Sequence, residues 1–374
     1  MKQLLLVGAG HAHAQVLLDL AQSPLPGVQV TVVSPEHLAP YSGMVPGWLA
    51  GYYTFNDIVI DFAKLCAAAG ARWVCAAVDA LDTTQQRLHL TNGETLTYDI
   101  VSFNVGSTLH PPEIDGLQVL ALRPLSNLRC GYESLLARWK MDAKMETKLN
   151  DFTVTAVGAG AAGFESLLAI VHRLRVLNPR RNVLGRLVSR GATLLPGVSG
   201  MARRAAAAAL ADARIQVQFN TEWAQPEPGF TSQGGLILWA TGAQAHTWQT
   251  DPDRRGDLCV SAHGFIRVDE QLRSVSHPHV FAVGDCCEWT TPLPKAGVYA
   301  VRMGPVLTHN LRAALGAGAN QSYTPQRQFL ALLATGDGHA IASRGLLGAK
   351  GRWVWRWKDH IDRSFIRRFV ELEN

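Results

Sequence analysis

The feature that most constrains this chain is a glycine-rich turn that occurs twice, each time between an apolar strand and the start of a helix. Lys2-Gln-Leu-Leu-Leu-Val7 runs into Gly8-Ala-Gly10-His-Ala-His13, and Phe152-Thr-Val-Thr-Ala-Val157 runs into Gly158-Ala-Gly160-Ala-Ala-Gly163-Phe-Glu165. In such a turn the first glycine bends the chain sharply and the second lets the backbone approach a diphosphate. The third allows close helix–strand packing, and the helix N-terminus faces the negative charge. One such turn is a weak signal. Two on one chain predict two dinucleotide sites, and the usual pair, a flavin and a nicotinamide, means electron transfer.

Composition narrows the class. With 374 residues, 47% of them hydrophobic, the chain can build two or three domains with real cores. No apolar run approaches the ~20 residues that span a bilayer. Residues 4–7 are too short for the apolar core of a signal peptide and lead straight into a glycine turn. Cys66, Cys75, Cys130, Cys259, Cys286 and Cys287 form neither a C-x-x-C pair nor a zinc spacing, so no metal site is expected. Reduced thiols and a cytoplasmic chain are the expectation. The net charge of +5 gathers in the C-terminal tail, so no nucleic-acid partner is expected.

The pattern predicts an α/β fold of two Rossmann-like units, the second inserted in the first, with a small C-terminal subdomain. The first unit reads as a strand at 3–7, a helix at 13–21 and a strand at 28–33. An aromatic loop, Pro40-Tyr-Ser-Gly-Met-Val-Pro-Gly-Trp48, comes next, then a helix at 57–69. Strands are expected at 72–78, 87–90 and 96–104, with Asn92-Gly93 as a hairpin turn. Pro111-Pro112 and Gly116 mark the crossover to the second unit, which opens with a helix at 128–145. Its fingerprint helix covers 162–177, followed by strands at 183–189 and 215–219. Residues 235–240 read as a strand returning to the first unit, followed by a strand at 279–283 and a helix at 297–315. The expected domains are 1–115 with 236–322 for FAD, 116–235 for NAD(P), and 323–374 as the subdomain.

The ordered motifs resemble the pyridine nucleotide-disulphide oxidoreductases, the two-dinucleotide flavoproteins. They are Gly8-Ala-Gly10, Tyr98-Asp-Ile-Val-Ser-Phe-Asn-Val-Gly106, Gly158-Ala-Gly160-Ala-Ala-Gly163-Phe-Glu165, Ala240-Thr-Gly242 and Val283-Gly284-Asp285, and together they cover about residues 1–315. Gly10-His-Ala-His13, Pro40-Tyr-Ser-Gly-Met44, Pro294-Lys-Ala-Gly-Val298 and Trp357-Lys-Asp-His-Ile-Asp362 are similar to one branch. That branch is the NADH-dehydrogenase-like flavoprotein found fused ahead of selenide, water dikinase, and this chain reads as a free-standing version. The branch is also similar to type II NADH:quinone oxidoreductases and, more distantly, to sulfide:quinone oxidoreductases.

The resemblance implies FAD on Gly8, Gly10, His11, His13, Ser34, Glu36, Pro40, Tyr41, Val78, Gly106, Gly284, Asp285, Ala296, Gly297 and Val298. Asp285 would bond the ribitol, and the helix after Lys295 would point its positive end at the flavin. NAD(P)H is implied on Gly158, Gly160, Gly163, Ser189, Arg190, Thr241 and Gly242. Glu165 and Lys295 are the implied catalytic charges beside the isoalloxazine. Several positions depart from the pattern. His13 replaces the third glycine, Ser34 stands where a ribose-binding acid is expected, and Asn104-Val-Gly106 replaces the usual Ala-Thr-Gly. In the second unit Ser189-Arg190 replaces the acid, which suits a 2′-phosphate better than a free hydroxyl.

The C-x4-C pair of the disulphide-reducing members is missing. Electrons are therefore expected to pass from NAD(P)H through flavin to an external, quinone-like small molecule. Two alternatives stay open: sulfur or selenium chemistry at a flavin-adjacent cysteine, with Cys130 and Cys287 as the pairing, and a non-catalytic FAD-binding adaptor linked to selenium metabolism. In the tail, Trp357, Ile361, Phe365 and Phe369 fall four apart, flanked by Lys358, Arg363, Arg367 and Arg368. That stripe either packs on the FAD unit or lies on a membrane surface, which would make the protein peripheral at the inner face. The sequence does not speak to oligomeric state.

Overall fold

The computed structural model describes residues 1–114, 117–144, 150–223, 234–326 and 328–370. Gly116 and Met145, which entered the expected crossover and helix end, lie outside those residues. Two five-stranded parallel sheets dominate. The first runs Val280–Ala282, Ile100–Phe103, Lys2–Val7, Val28–Val33, Arg72–Val74 in spatial order. The second runs Gln118–Ala121, Gly235–Trp239, Phe152–Val157, Val183–Val188, Ile215–Gln218. In each sheet the strand that feeds a glycine turn is central. Its residues are apolar on both faces because helices cover both, and Leu4, Leu5, Leu6 and Val7 are all at most 2% exposed.

The strand at 235–239 does not return to the first sheet, as its sequence position suggests. It pairs parallel with Phe152–Val157 and Gln118–Ala121, and the chain regains the first sheet only at Val280–Ala282. Either sheet accepts a wholly apolar strand, so local pattern cannot choose between them. Two other expected strands divide. Arg72–Val74 stays in the first sheet while Val78–Asp82 leaves it, and Thr95–Thr97 separates from Ile100–Phe103. The pieces Val78–Asp82, Arg87–Leu90 and Thr95–Thr97 form an antiparallel sheet, with Asn92-Gly93 in the turn between the last two.

Helix His11–Gln22 packs against helix Gly297–Ala314, where a Cβ on Gly304 would stand 3.0 Å from that of Gln15. The C-terminal unit is a three-stranded antiparallel sheet, Ala331–Ala334, Ala340–Arg344 and Leu347–Gly351, followed by helix Arg352–Val370. This helix buries Val354, Lys358, Asp362, Ile366 and Phe369. Trp357 and Ile361, half of the expected apolar stripe, remain 40% and 38% exposed. Lys358 is not on a flank of that stripe but inside, 4% exposed. Among the described residues no helix is long and apolar enough to cross a membrane.

Candidate active site

Both glycine turns close in the same way. Gly8 N–H donates to Val33 O at 2.7 Å, and Gly158 N–H donates to Val188 O at 2.8 Å. Both first glycines have positive φ, +98° and +119°, a region costly for any side chain. In the second turn a Cβ on Gly163 would lie 2.1 Å from Gly158 O, so the third glycine sets the helix directly on the turn. In the first turn His13 solves the problem differently. Its Nδ1 lies 2.8 Å from Gly8 O and its Nε2 2.9 Å from Ser102 Oγ. A carbonyl only accepts, so Nδ1 carries the proton and Nε2 accepts from Ser102. Burial holds this ring near 4, opposed by its bond to Gly8, so it is neutral at pH 7. His13 is thus a packing residue turned into the sheet, not a polar contact for the cofactor.

His11 points elsewhere. Its ring meets Tyr41 edge-on at 5.4 Å and Phe365 at 6.1 Å, and its buried Nε2 has no partner. Gly106, Gly160 and Gly242 each face space in which an added Cβ would meet nothing within 4 Å. An orphaned donor–acceptor and open glycine cradles fit bound dinucleotides. A groove lined by Ala159, Gly160, Ser189, Gly191, Ala192, Thr193 and Pro196 runs past the second turn. Arg190 is exposed at the strand end beside it, and Ser189 Oγ accepts from Gly191 N–H at 3.1 Å. Thr241 is half-buried there.

At the first unit Ser34 is buried, and its hydroxyl donates to Glu36 O at 3.1 Å while the Glu36 side chain is exposed. Pro40 is half-buried. Val78 is half-buried too and pairs with Leu90, at the start of the antiparallel sheet. Gly284, at φ +72°, touches Asn104 and Ala300 so closely that a Cβ would sit 2.9 Å from Asn104 Nδ2. Asp285 pairs with the Arg123 guanidinium, which also bonds Ser107 Oγ and reaches Lys295 O at 3.4 Å. Arg123 follows a strand of the second sheet and lies 162 residues from Asp285 in sequence; no local pattern flags it. Ala296, Gly297 and Val298 open the helix beyond, half-buried against the aromatic loop, where a Cβ on Gly297 would meet Ser42 Oγ at 2.6 Å.

The two expected catalytic charges have separate partners. Lys295 Nζ donates to Cys287 O at 2.6 Å and lies 3.6 Å from the Phe265 ring centre. Glu165 instead meets the C-terminal unit: its Oε1 accepts from Ala334 N–H at 2.7 Å. Burial raises its carboxyl to about 7, Lys358 and the Ala334 bond oppose the rise, and Asp362 adds to it. Lys358 is therefore the cation acting on Glu165. It donates to Asp362 at 2.6 Å and to Gly43 O at 2.5 Å, tying the C-terminal helix to the aromatic loop. The i, i+4 spacing of Lys358 and Asp362 suits a helical ion pair, yet nothing local says that the pair is buried.

The cysteines do not form a redox pair. Cys130 is exposed, whereas Cys286 and Cys287 are buried, with thiols on nearby carbonyls and raised by burial, Cys286 to about 11.

The family model for pyridine nucleotide-disulphide oxidoreductases matches residues 2–304. The chain belongs to this family. Its cofactors are FAD and NAD(P)H. Alternative NAD(P)H-ubiquinone oxidoreductase C1 of Arabidopsis thaliana is 24% identical over 292 residues, 69% of this chain and 55% of its own length. The chain thus matches about half of that relative. Among solved structures, the sulfide:quinone oxidoreductase of Aquifex aeolicus superposes with TM-score 0.78 at 14% identity, covering 100% of this chain and 92% of that one. NDH2 of Plasmodium falciparum with NADH superposes with TM-score 0.77 at 13% identity, covering 99% and 98%. At these identities the superpositions speak for the fold: two dinucleotide units with a C-terminal unit across both.

Proposed function

We propose that this chain passes electrons from NAD(P)H through FAD to a quinone-like acceptor. The observation that carries the reading is Glu165, a half-buried carboxyl raised to about 7 where the second unit meets the C-terminal one. FAD supplies a two-electron relay between nicotinamide and acceptor. Hydride transfer needs stacked geometry more than an acid, and the glycine cradles serve that. A quinone that takes up two electrons also needs protons, and Glu165 holds one at neutral pH. The ubiquinone oxidoreductase relative supports the acceptor class. Anaerobic stopped-flow tests it. NAD(P)H should bleach the flavin, sulfide or selenide added in its place should not, and a short-chain quinone should restore the colour. A flavin that NAD(P)H never bleaches would point to an adaptor.

NADPH should reduce the flavin at least as well as NADH, because Arg190 offers a guanidinium where an acid would repel the 2′-phosphate. The C-terminal helix supports a peripheral place on the cytoplasmic face of a membrane. Trp353, Trp357 and Ile361 are exposed on it beside Arg356 and Arg363, and Leu346 and Leu347 are exposed on the preceding hairpin. Anionic liposomes should bind the protein in a salt-sensitive way, and Trp357→Asp/Ile361→Asp should abolish that binding. A wild type that never binds would refute the membrane reading.

A further inference from the structure

The two units supply an internal comparison at the end of the strand beside each turn. Asn104 N–H donates to Val7 O at 2.8 Å, and Ala240 N–H donates to Val157 O at 3.0 Å, so Asn104 and Ala240 hold corresponding places. Each precedes a positive-φ glycine by two residues, Gly106 and Gly242. In the second unit Ala240 has no polar side chain to offer the start of helix Ala161–Leu177. In the first unit the Asn104 carboxamide fills the corresponding space, 5% exposed. Its Oδ1 accepts from Ala12 N–H at 3.1 Å and His13 N–H at 3.4 Å. Its Nδ2 donates to Val283 O at 3.0 Å, just ahead of Gly284-Asp285. A Cβ on Gly10 would sit 2.1 Å from Oδ1 and 2.6 Å from Asn104 O, so the side chain and the backbone of residue 104 both demand the second glycine of the first turn.

We propose that Asn104 is a positioning residue for the FAD diphosphate. Its neutral carboxamide caps the helix and ties the first glycine turn to the Gly284-Asp285 turn. The N–H groups left to the diphosphate are then those of Ala9, Gly10 and His11, held in place before the cofactor arrives. With His13 it forms a two-residue substitute for the third glycine: His13 takes the Gly8 carbonyl, and Asn104 takes the helix N–H groups. The arrangement adds no charge where a dianion docks, and that distinguishes it from any carboxylate cap.

Four variants test this: Asn104→Asp, Asn104→Ala, His13→Gly and the double His13→Gly/Asn104→Ala, which copies the second unit. FAD affinity is read by flavin fluorescence on dilution of the whole protein, and folding by thermal melting of the stripped protein. Asn104→Asp should bind FAD at least about tenfold more weakly, with the loss shrinking at high salt, while melting within a few degrees of wild type. Asn104→Ala should also lose about tenfold, and the double variant should recover part of that loss. Wild-type FAD affinity in folded Asn104→Asp or Asn104→Ala overturns the proposal. So do losses that merely add in the double variant.

Discussion

At the second glycine turn a missing side chain does the work: Gly163 lets the helix rest on the Gly158 carbonyl, and Ala240 beside it makes no demand. At the first turn two side chains do it, His13 on the Gly8 carbonyl and Asn104 on the helix N–H groups. The backbone hydrogen bonds of the two turns match to within 0.1 Å at the first glycine, 2.7 against 2.8 Å. The same loop shape therefore has two solutions. The glycine version tolerates no added atom. The side-chain version is polar, and depends on protonation and on buried partners being present.

The sharpest way to break the comparison is to put a side chain where the second turn has none. Gly163→Val would drive its Cβ to 2.1 Å from Gly158 O and 3.2 Å from the Ala240 Cβ. Titration should show NAD(P)H affinity falling more than about a hundredfold, roughly 3 kcal/mol, while FAD stays bound. Loss of both cofactors together would mean that the units are not independent.

The reverse test removes the side chain that the first turn needs. His13→Ala leaves Gly8 O and Ser102 Oγ without their buried partner and opens a cavity. Urea unfolding should show a loss of about 2–4 kcal/mol. The wild type should also lose stability in acid. His13 sits near 4 in the fold against the ordinary imidazole value of 6.5. The unfolded chain therefore binds the proton first, and stability falls as pH drops through that window. His11, likewise held near 4, adds to the slope, so His13→Ala should flatten it only in part.

The second turn's ligand can be probed at its rim. Arg190→Glu should move preference from NADPH towards NADH by about 1–2 kcal/mol in stopped-flow reduction, with FAD binding untouched. An unchanged ratio would remove Arg190 from the site.

These turns were legible because strand, glycines and helix are consecutive, so the signal is local. The rest was hidden in proportion to its sequence distance. That His13 replaces a glycine is plain from the chain, but its partner Ser102 lies 89 residues away. The membership of residues 235–239 depends on pairing with a strand about 80 positions earlier. One signal was available there: Asn104-Val-Gly106 and Ala240-Thr-Gly242 end corresponding strands, which places each beside its own turn. The tail misled through arithmetic. Four residues advance a helix by about 400°, so a strict four-residue stripe drifts roughly 40° per step. It starts exposed at Trp357 and ends buried at Phe369, and the face it leaves is filled by Lys358 and Asp362.

The smallest expected effect concerns Glu165, which stands two residues past the third glycine; the position two past His13 in the first turn is Gln15. The acid–base role proposed for it therefore belongs to one turn only. Held at about 7, it is half protonated at neutral pH. Quinone-driven reoxidation should slow as pH rises through that value, while flavin reduction by NAD(P)H should not. Glu165→Gln should lower reoxidation by about tenfold and remove the pH dependence, because the amide keeps an acceptor for Ala334 N–H but cannot release a proton. Stability gives an independent reading. The folded value lies above the ordinary carboxyl value of 4.5, so the fold keeps its proton longer than the unfolded chain. Stability should therefore decline as pH rises from 4.5 to about 7, opposite in sign to the two histidines. Glu165→Gln should erase that decline and leave the acid limb set by His11 and His13. If the variant keeps both the pH break in reoxidation and the stability slope, the titrating group is elsewhere and Glu165 serves only to dock the C-terminal unit.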